Sequence, residues 1–407
     1  MRWIALLTSA LLFAVASGCR ELTILDVEPG QIPAGSGGAL RIQGAGFDDQ
    51  VLFSLTGAGL TISLGQPEVV SEAEAAARVP VAAPAGRYDV VATRGGVEAR
   101  LEDTLGIVAG RARVVFVDVG QGDATLVVAP GGETLLIDGG PASAVSAVEA
   151  ALHEHAGGRL DAVVLSHFDA DHLAGLVELL AGPDRVAGTG DDVRPTHTFG
   201  PTDLGDCVTD TCEKLRRLAA YPFEVARVAD ALPLGDVEVE VVAADGDVGG
   251  GAVPGVDDDN EHSVVVRMSF GGRSVLVTGD LTGGGLGTVD LETPLAERTG
   301  PVDVLRVSHH GSQTSTAPDA LARWQPAFAV LSFGTDNAYC HPHTDVLARL
   351  ASSGAQLFAT GSGIVDDGAR CGGRTEAPEG ASFGLGDVVL DLDASGLVSL
   401  ATDASGP

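Results

Sequence analysis

Six residues, His167-Phe168-Asp169-Ala170-Asp171-His172, constrain this chain more than any other stretch. They follow the apolar run Ala162–Leu165, which reads as a buried strand, and precede Leu173–Leu180, which reads as a helix. In an extended segment, residues i and i+2 point the same way, so His167 and Asp169 can face one cation together. A turn after them lets Asp171 and His172 face a second position about 3.5–4 Å away, the spacing of two-metal sites. Carboxylates between apolar flanks carry a heavy desolvation penalty unless a cation or hydrogen bonds offset it. Four metal-competent side chains in six residues therefore predict a metal site rather than an exposed polar loop.

The 407 residues suffice for two or three domains with their own cores. The 56 glycines predict many tight turns and much β structure, and the scarcity of aromatics leaves Val, Leu, Ala and Ile to fill the cores. A net charge of −32 disfavours sequence-independent binding to nucleic acid or to an anionic membrane face. It leaves a nucleic-acid substrate open, because a bound cation can reverse the field in one cleft.

Residues 1–18 read as a signal peptide. Arg2 supplies the positive start, and Ile4–Ala16 is apolar but shorter than the roughly 20 residues of a membrane span. Ala16-Ser17-Gly18-Cys19 then reads as a small-residue cleavage site that resembles a bacterial lipobox. The expectation is an exported bacterial chain, anchored to a membrane only through a lipid on Cys19, with plain secretion as the alternative. In an exported chain Cys207, Cys212, Cys340 and Cys371 predict two disulfides; a short Cys207–Cys212 loop leaves Cys340–Cys371. No Cys-x-x-Cys pair is present, which argues against a thiolate zinc site.

Residues 19–110 read as a first unit. Leu22–Val27, Ala39–Gln43, Gln50–Leu55, Thr61–Ser63 and Arg87–Thr93 are short apolar runs between turn signals, the pattern of a small all-β sandwich. Pro29-Gly30, Ala34-Gly35, Gly44-Ala45-Gly46-Phe47 and Pro84-Ala85-Gly86-Arg87-Tyr88-Asp89-Val90 resemble the IPT/TIG immunoglobulin-like family. That resemblance implies a spacer or binding module whose partner the sequence does not name. Residues 111–407 alternate strands (Val114–Val117, Ala124–Val128, Thr134–Ile137, Ala162–Leu165, His262–Phe270, Ser274–Thr278, Val302–Val307, Ala327–Ser332) with helical patterns at Ala144–His155, Leu173–Leu180 and Pro318–Trp324. The mixture predicts an α/β sandwich. Gly182–Arg194 and Asp245–Asn260 read as polar surface insertions.

The motif His-x-Asp-x-Asp-His resembles the signature of the metallo-beta-lactamase superfamily, whose commoner form is His-x-His-x-Asp-His. Five further stretches, in the right order, resemble the extracellular domain of ComEC-type DNA-uptake proteins. They are Asp118-Val119-Gly120-Gln121-Gly122-Asp123-Ala124, Leu136-Ile137-Asp138-Gly139-Gly140, Thr278-Gly279-Asp280, Ser308-His309-His310-Gly311-Ser312 and Asn337-Ala338-Tyr339-Cys340-His341-Pro342. The resemblance implies an αββα sandwich with one or two divalent ions, zinc or manganese. It implies His167, Asp169, Asp171, His172, Asp280 and His310 as ligands, with Asp280 bridging. His309 is then expected to orient a ligand, Asp138 to support the metal loop, and His341 to reach the cleft. Asp118, Gln121 and Asp123 either line the cleft or form a structural turn; Asn337 belongs to the last motif. Ser312 and Thr314 either bind a substrate oxygen or serve the turn.

Two departures from the commoner pattern matter. Asp169 stands in place of an imidazole and hardens the first metal position toward manganese. The third ligand there is open, with Asn260 and His262 in reach along the chain. One firmly held ion and one exchangeable ion are expected. His343, His197, His153 and His155 read as surface residues. The expected activity is metal-dependent hydrolysis of a phosphodiester, with Asp171, Asp280 and His341 as the catalytic residues. Hydrolysis of a smaller ester, lactone or phosphoester is the second reading, and a non-catalytic surface-binding lipoprotein the third.

Overall fold

The computed structural model describes residues 21–402 except 35–37, 58, 81–82, 109, 203–208, 219, 336, 363–376, 394–395 and 397. Cys19, Cys207 and Cys371 lie outside the described residues, so the lipid anchor and both cysteine pairings stay expectations. The chain divides into two compact units, the first ending at Val108 and the second beginning at Ala109.

In the first unit, period-two burial builds two sheets. Ala39–Ala45 alternates strictly, with Leu40 and Ile42 buried and Ala39 and Arg41 exposed. One sheet holds Thr23–Glu28, Ala39–Ala45, Glu74–Arg78 and Glu68–Ser71 in that spatial order; the other holds Gln31–Pro33, Val97–Val108, Gly86–Arg94, Leu52–Gly57 and Leu60–Ser63. Their inward residues, among them Leu40, Ile42, Phe53, Leu55, Tyr88 and Leu105, form one apolar core. The Tyr88 hydroxyl donates to the Pro84 carbonyl at 2.8 Å, pinning the turn that enters its strand. This unit is all β, as expected. Glu74–Arg78 is a strand although Glu-Ala-Ala-Ala-Arg favours a helix in isolation; pairing with Ala39–Ala45 overrides that preference.

The second unit is a mixed α/β sandwich of two sheets. An eight-stranded sheet runs, in spatial order, Glu224–Val225, His197–Gly200, Ala162–Val164, Thr134–Ile137, Thr125–Val128, Arg111–Phe116, Val388–Asp393 and Val398–Thr402. A six-stranded sheet runs Glu238–Ala243, Val265–Phe270, Arg273–Val277, Val304–Arg306, Phe328–Leu331 and Gln356–Ala359. The central strands of both sheets are buried on both faces, and alternation decides which face each residue serves. Val114, Phe116, Leu135, Ile137 and Val164 meet Val266, Val275, Val304 and Val330 in the central core. Val115, Leu126, Leu136 and Val163 instead pack against the helices Val145–Ala156 and Ala170–Leu180. Leu276, Leu305 and Leu331 pack against Glu292–Thr299, Pro318–Trp324 and Thr344–Ser353. The layers are thus α, β, β, α. Among the described residues no helix is long and apolar enough to cross a membrane.

Thr134–Ile137 and Ala162–Val164 are parallel neighbours in the first sheet, and Arg273–Val277, Val304–Arg306 and Phe328–Leu331 are parallel in the second. Each ends in a loop that carries one of the chemical motifs. The helix Ala170–Leu180 has Asp171 and His172 in its first turn rather than in a turn before it, and two glycines let it come down onto that edge. A Cβ on Gly175 would stand 2.0 Å from the Gly139 carbonyl oxygen, and one on Gly139 would stand 2.2 Å from the Leu176 nitrogen. Backbone bonds Gly139 N–H to His172 O (2.9 Å) and Gly175 N–H to Gly140 O (2.7 Å) fill that space instead. Helix propensity alone would make Gly175→Ala stabilising by about 1 kcal/mol. The close approach reverses the sign, and we expect Gly175→Ala to cost about 1–3 kcal/mol in urea unfolding. An unchanged or raised midpoint would show that the helix does not need this contact.

Candidate metal centre

The metal loop is anchored from below. Asp138, at φ 60°, accepts from the Ser166 N–H at 2.7 Å and from the Ser166 hydroxyl at 2.6 Å. Its other partner is the His172 Nδ1–H at 2.7 Å, and both side chains are fully buried. Burial would raise the Asp138 pKa, but the His172 charge and hydrogen bond outweigh it and hold the carboxyl below its ordinary value. With Nδ1 committed to Asp138, His172 turns Nε2 toward the cleft, the arrangement that fixes a ligating histidine's tautomer.

Around that Nε2 the ligand atoms converge. Asp280 Oδ1 lies 3.2 Å away and His310 Nε2 lies 3.2 Å away. Asp280 Oδ2 is 3.4 Å from His310 Nε2 and 3.6 Å from His309 Nε2, and Asp171 Oδ2 is 3.4 Å from His310 Nε2. His167 Nε2, held by an Nδ1 contact to Ser166 Oγ at 2.9 Å, is 3.6 Å from the half-exposed Asp169 carboxylate. Three donor sets place their ligand atoms within 4.8 Å of one another: His167, His172 and Asp280; Asp171, His172 and His310; and Asp123, Asp138 and His172, the last on the Asp138 side of His172. The structure therefore gathers five of the six residues expected to ligate; Asp169, the sixth, is half-exposed and approaches only His167.

Asp280 follows the strand Arg273–Val277 through the turn at Thr278-Gly279. His309 and His310 form a tight turn after Val304–Arg306, with φ of 49° and 54°, a left-handed conformation that non-glycine residues adopt only under constraint. Gly311 continues it at φ 81°, where a Cβ would stand 2.7 Å from Pro342 Cβ. This strain aims both imidazoles at Asp280. Thr314 Oγ1 contacts His309 Nδ1 at 2.9 Å and donates to Ser312 Oγ at 2.9 Å, so Thr314 orients His309 and both hydroxyls serve the turn.

His341 is buried beside the cluster, its ring 6.1 Å from that of His310 and 5.4 Å from that of His309. Burial, helped by the neighbouring imidazoles, pushes it down to about 3, so it is neutral. Asn337 fixes this loop: its amide donates to Gly334 O and His341 O, and its oxygen accepts from the His341 N–H at 3.0 Å. His343, expected at the surface, instead sets its ring 5.2 Å from that of His341. His262 is not brought to the cluster, for its Nδ1 faces Asp245 at 3.4 Å and Ser263, the next residue, is the one that contacts the Asp280 N–H, at 3.2 Å. Asp118 accepts from the Gly120 N–H at 3.2 Å and Gln121 from the Gly334 N–H at 3.3 Å, which is turn and loop chemistry.

Sequence reasoning missed Arg306 and Ser166. Arg306 is fully buried; its Nε is 2.7 Å from Asp123 Oδ2, its Nη1 donates to Gly279 O (3.0 Å) and Val307 O (2.7 Å), and its Nη2 is 3.0 Å from His310 Nδ1. The available signal was a lone cation in the otherwise apolar run Val304–Val307. Asp123 is completely buried, and desolvation raises its pKa despite Arg306.

A divalent ion fits these residues. The His167 Nε2 atom is buried with no hydrogen-bond partner, which would be costly without a cation. Neutral imidazole and carboxylate donors suit zinc or manganese. Loops that follow strands of both sheets supply these donors, the arrangement of an α/β sandwich with a candidate metal site.

The profile of the metallo-beta-lactamase superfamily matches residues 117–335, more than half of the chain, and the chain belongs to that superfamily. It is 29% identical over 264 residues to "ComE operon protein 3" of Bacillus subtilis, a match covering 61% of this chain and 31% of that protein. A shorter match, 48% identical over 67 residues, is to "Hydroxyacylglutathione hydrolase" of Acidiphilium cryptum and covers 16% of this chain and 26% of that one. The chain spans a third or less of the length of the curated relatives it matches. Among solved structures, the metallo-beta-lactamase fold protein YhfI from Bacillus subtilis aligns at TM-score 0.40 and 17% identity, covering 61% of this chain and 96% of that one.

The charge state of the metal-free cluster yields a pH prediction. Burial opposes protonation of His172 and His310, but Asp280 outweighs it together with Asp138 for His172 and with Asp171 for His310. His172 is raised well above its ordinary value and His310 to about 9. Burial would raise Asp171 and Asp280, yet the adjacent imidazoles keep both below the usual carboxylate range. Only the imidazoles must therefore lose protons to a metal. Apparent Zn²⁺ or Mn²⁺ affinity should rise with pH at least as far as the His310 value of about 9, by about tenfold per unit for each proton displaced. Calorimetry in buffers of differing ionisation enthalpy should show net proton release at pH 7; affinity flat with pH and no release would contradict this charge state.

Proposed function

We propose that this protein is a metal-dependent hydrolase of phosphodiesters. The observation that carries the hydrolase reading is Asp280, a buried carboxylate within 3.2–3.6 Å of three imidazole Nε2 atoms. Similarity to "Competence protein ComA" of Neisseria gonorrhoeae, 29% identical over 265 residues, supports a phosphodiester substrate, and extracellular DNA is the natural source of one. A bound divalent cation supplies Lewis acidity and lowers the pKa of water toward neutrality. Asp171, ionised at neutral pH and part exposed, is placed to take the attacking water's proton. His341, neutral and beside His310, can give a hydrogen bond to the departing oxygen.

A smaller ester is the second reading, supported by the short similarity to a hydroxyacylglutathione hydrolase. The third reading, a binding protein without turnover, finds little support in five candidate ligands converging on one cleft. The zinc-or-manganese choice follows Asp169, whose oxygen donor leans toward manganese at the position it shares with His167. For the leader we keep export with a lipid on Cys19, and for the first unit an IPT/TIG-like spacer.

The test is hydrolysis of bis(p-nitrophenyl) phosphate by the chelator-treated protein lacking its leader, with Zn²⁺ or Mn²⁺ restored. We expect metal-dependent turnover that Asp171→Ala lowers by about 10²-fold or more. Metal binding without phosphodiester turnover would move the assignment to carboxylic esters.

A further inference from the structure

Tyr339 is the one aromatic among the large apolar side chains left exposed in the described residues, at 63% of its full area. The chain has only three tyrosines. This one sits in the loop between Phe328–Leu331 and Thr344–Ser353, two residues before His341. Its ring lies nearly parallel to that of His341, centroids 5.7 Å apart at 22°. His341 in turn lies nearly parallel to His310, at 6.1 Å and 28°. Three rings thus run in series from the metal-ligand cluster to solvent. The loop holds the outermost ring in place. Asn337 ties both Gly334 and His341 to itself, and Cys340 adopts the left-handed φ of 65° between Tyr339 and His341. An aromatic ring braced in this way but not buried leaves most of its surface free for a ligand beside a reactive centre.

We infer that Tyr339 is a stacking platform for an unpaired nucleobase of the substrate whose phosphodiester occupies the cluster. The inference rests on the phosphodiesterase reading and narrows it to single-stranded nucleic acid. Every base offers a π face, so such stacking tolerates any sequence. A paired base in a duplex already spends both faces on its neighbours. Stacking also suits this chain's charge. With a net charge of −32 the protein cannot draw on the broad positive groove that usually tracks a strand, so contacts to the bases must carry more of the affinity.

The experiment measures binding of a fluorescent single-stranded DNA with non-cleavable phosphorothioate linkages, and of the same strand made abasic, to the metal-loaded protein. Tyr339→Ala should weaken binding of the base-bearing strand by about tenfold or more and leave the abasic strand unchanged. Tyr339→Phe, which keeps the ring, should bind as the parent does. Equal weakening for both strands, no weakening, or no preference of the parent for bases would overturn the inference. Turnover of bis(p-nitrophenyl) phosphate is read alongside. Turnover without base-dependent binding sinks the platform and keeps the phosphodiesterase. Base-dependent binding lost in Tyr339→Ala without any phosphodiester turnover keeps the platform and sinks the phosphodiesterase.

Discussion

The buried hydrogen bond between Asp138 and His172 is the interaction on which the rest of the second unit's chemistry depends. Asp138 directly follows one strand of the first sheet, Ser166 lies two residues beyond its parallel neighbour, and His172 lies in the first turn of the helix that follows. One carboxylate thereby joins two strands and a helix, and it is fully satisfied while doing so. Its position fixes which nitrogen of His172 is free. That free nitrogen fixes where Asp280 and His310, delivered from the second sheet, must converge. The close packing of Gly139 and Gly175 exists to let this helix descend onto the sheet edge. Removing one partner from such a pair costs far more than the pair itself contributes, because a buried charge is left alone.

A second buried pair extends the same logic across the sheets. Arg306 lies between Asp123, in the turn after Arg111–Phe116, and Asp280, at 2.7 Å and 3.8 Å. It also approaches the ring of His310 from behind. Three buried carboxylates, Asp123, Asp138 and Asp280, thus face one permanent cation and imidazoles that hold protons until a metal replaces them. The cluster is built for a charge that the protein alone supplies only by protonating its ligands. Strain follows the same pattern, since Asp138, His309 and His310 all take positive φ at the residues that aim side chains into the cleft.

Much of this was legible in the sequence because the informative residues are close together. His167 to His172 are contiguous, and the strand before them and helix after them are apolar, so local periodicity placed the site at a strand end. Asp138, Asp280 and His310, distant along the chain, were tied to the site by the motif resemblance, and only the sheet order puts their turns on one edge. What escaped the sequence depends on long-range pairing. Arg306 reads as an odd charge in a strand until Asp123 and His310 are set beside it. His262 looked close enough to ligate along the chain, but Asp245 holds it and Ser263 faces Asp280 instead. His343 looked like a surface histidine, yet the fixed loop turns it against His341. Glu74–Arg78 became a strand only because a neighbour offered its backbone. The exposure of Tyr339 depends on a loop held by Asn337, which no periodicity encodes.

The account stands or falls on whether the His–Asp cluster holds metal. The most direct measurement is elemental analysis of the protein purified without chelators, beside Asp280→Ala, with folding of both checked by circular dichroism. The account predicts one to two equivalents of zinc or manganese in the parent and loss of most of it in a folded Asp280→Ala. A folded parent without transition metal, or a variant that keeps the parent's full metal content, would contradict it.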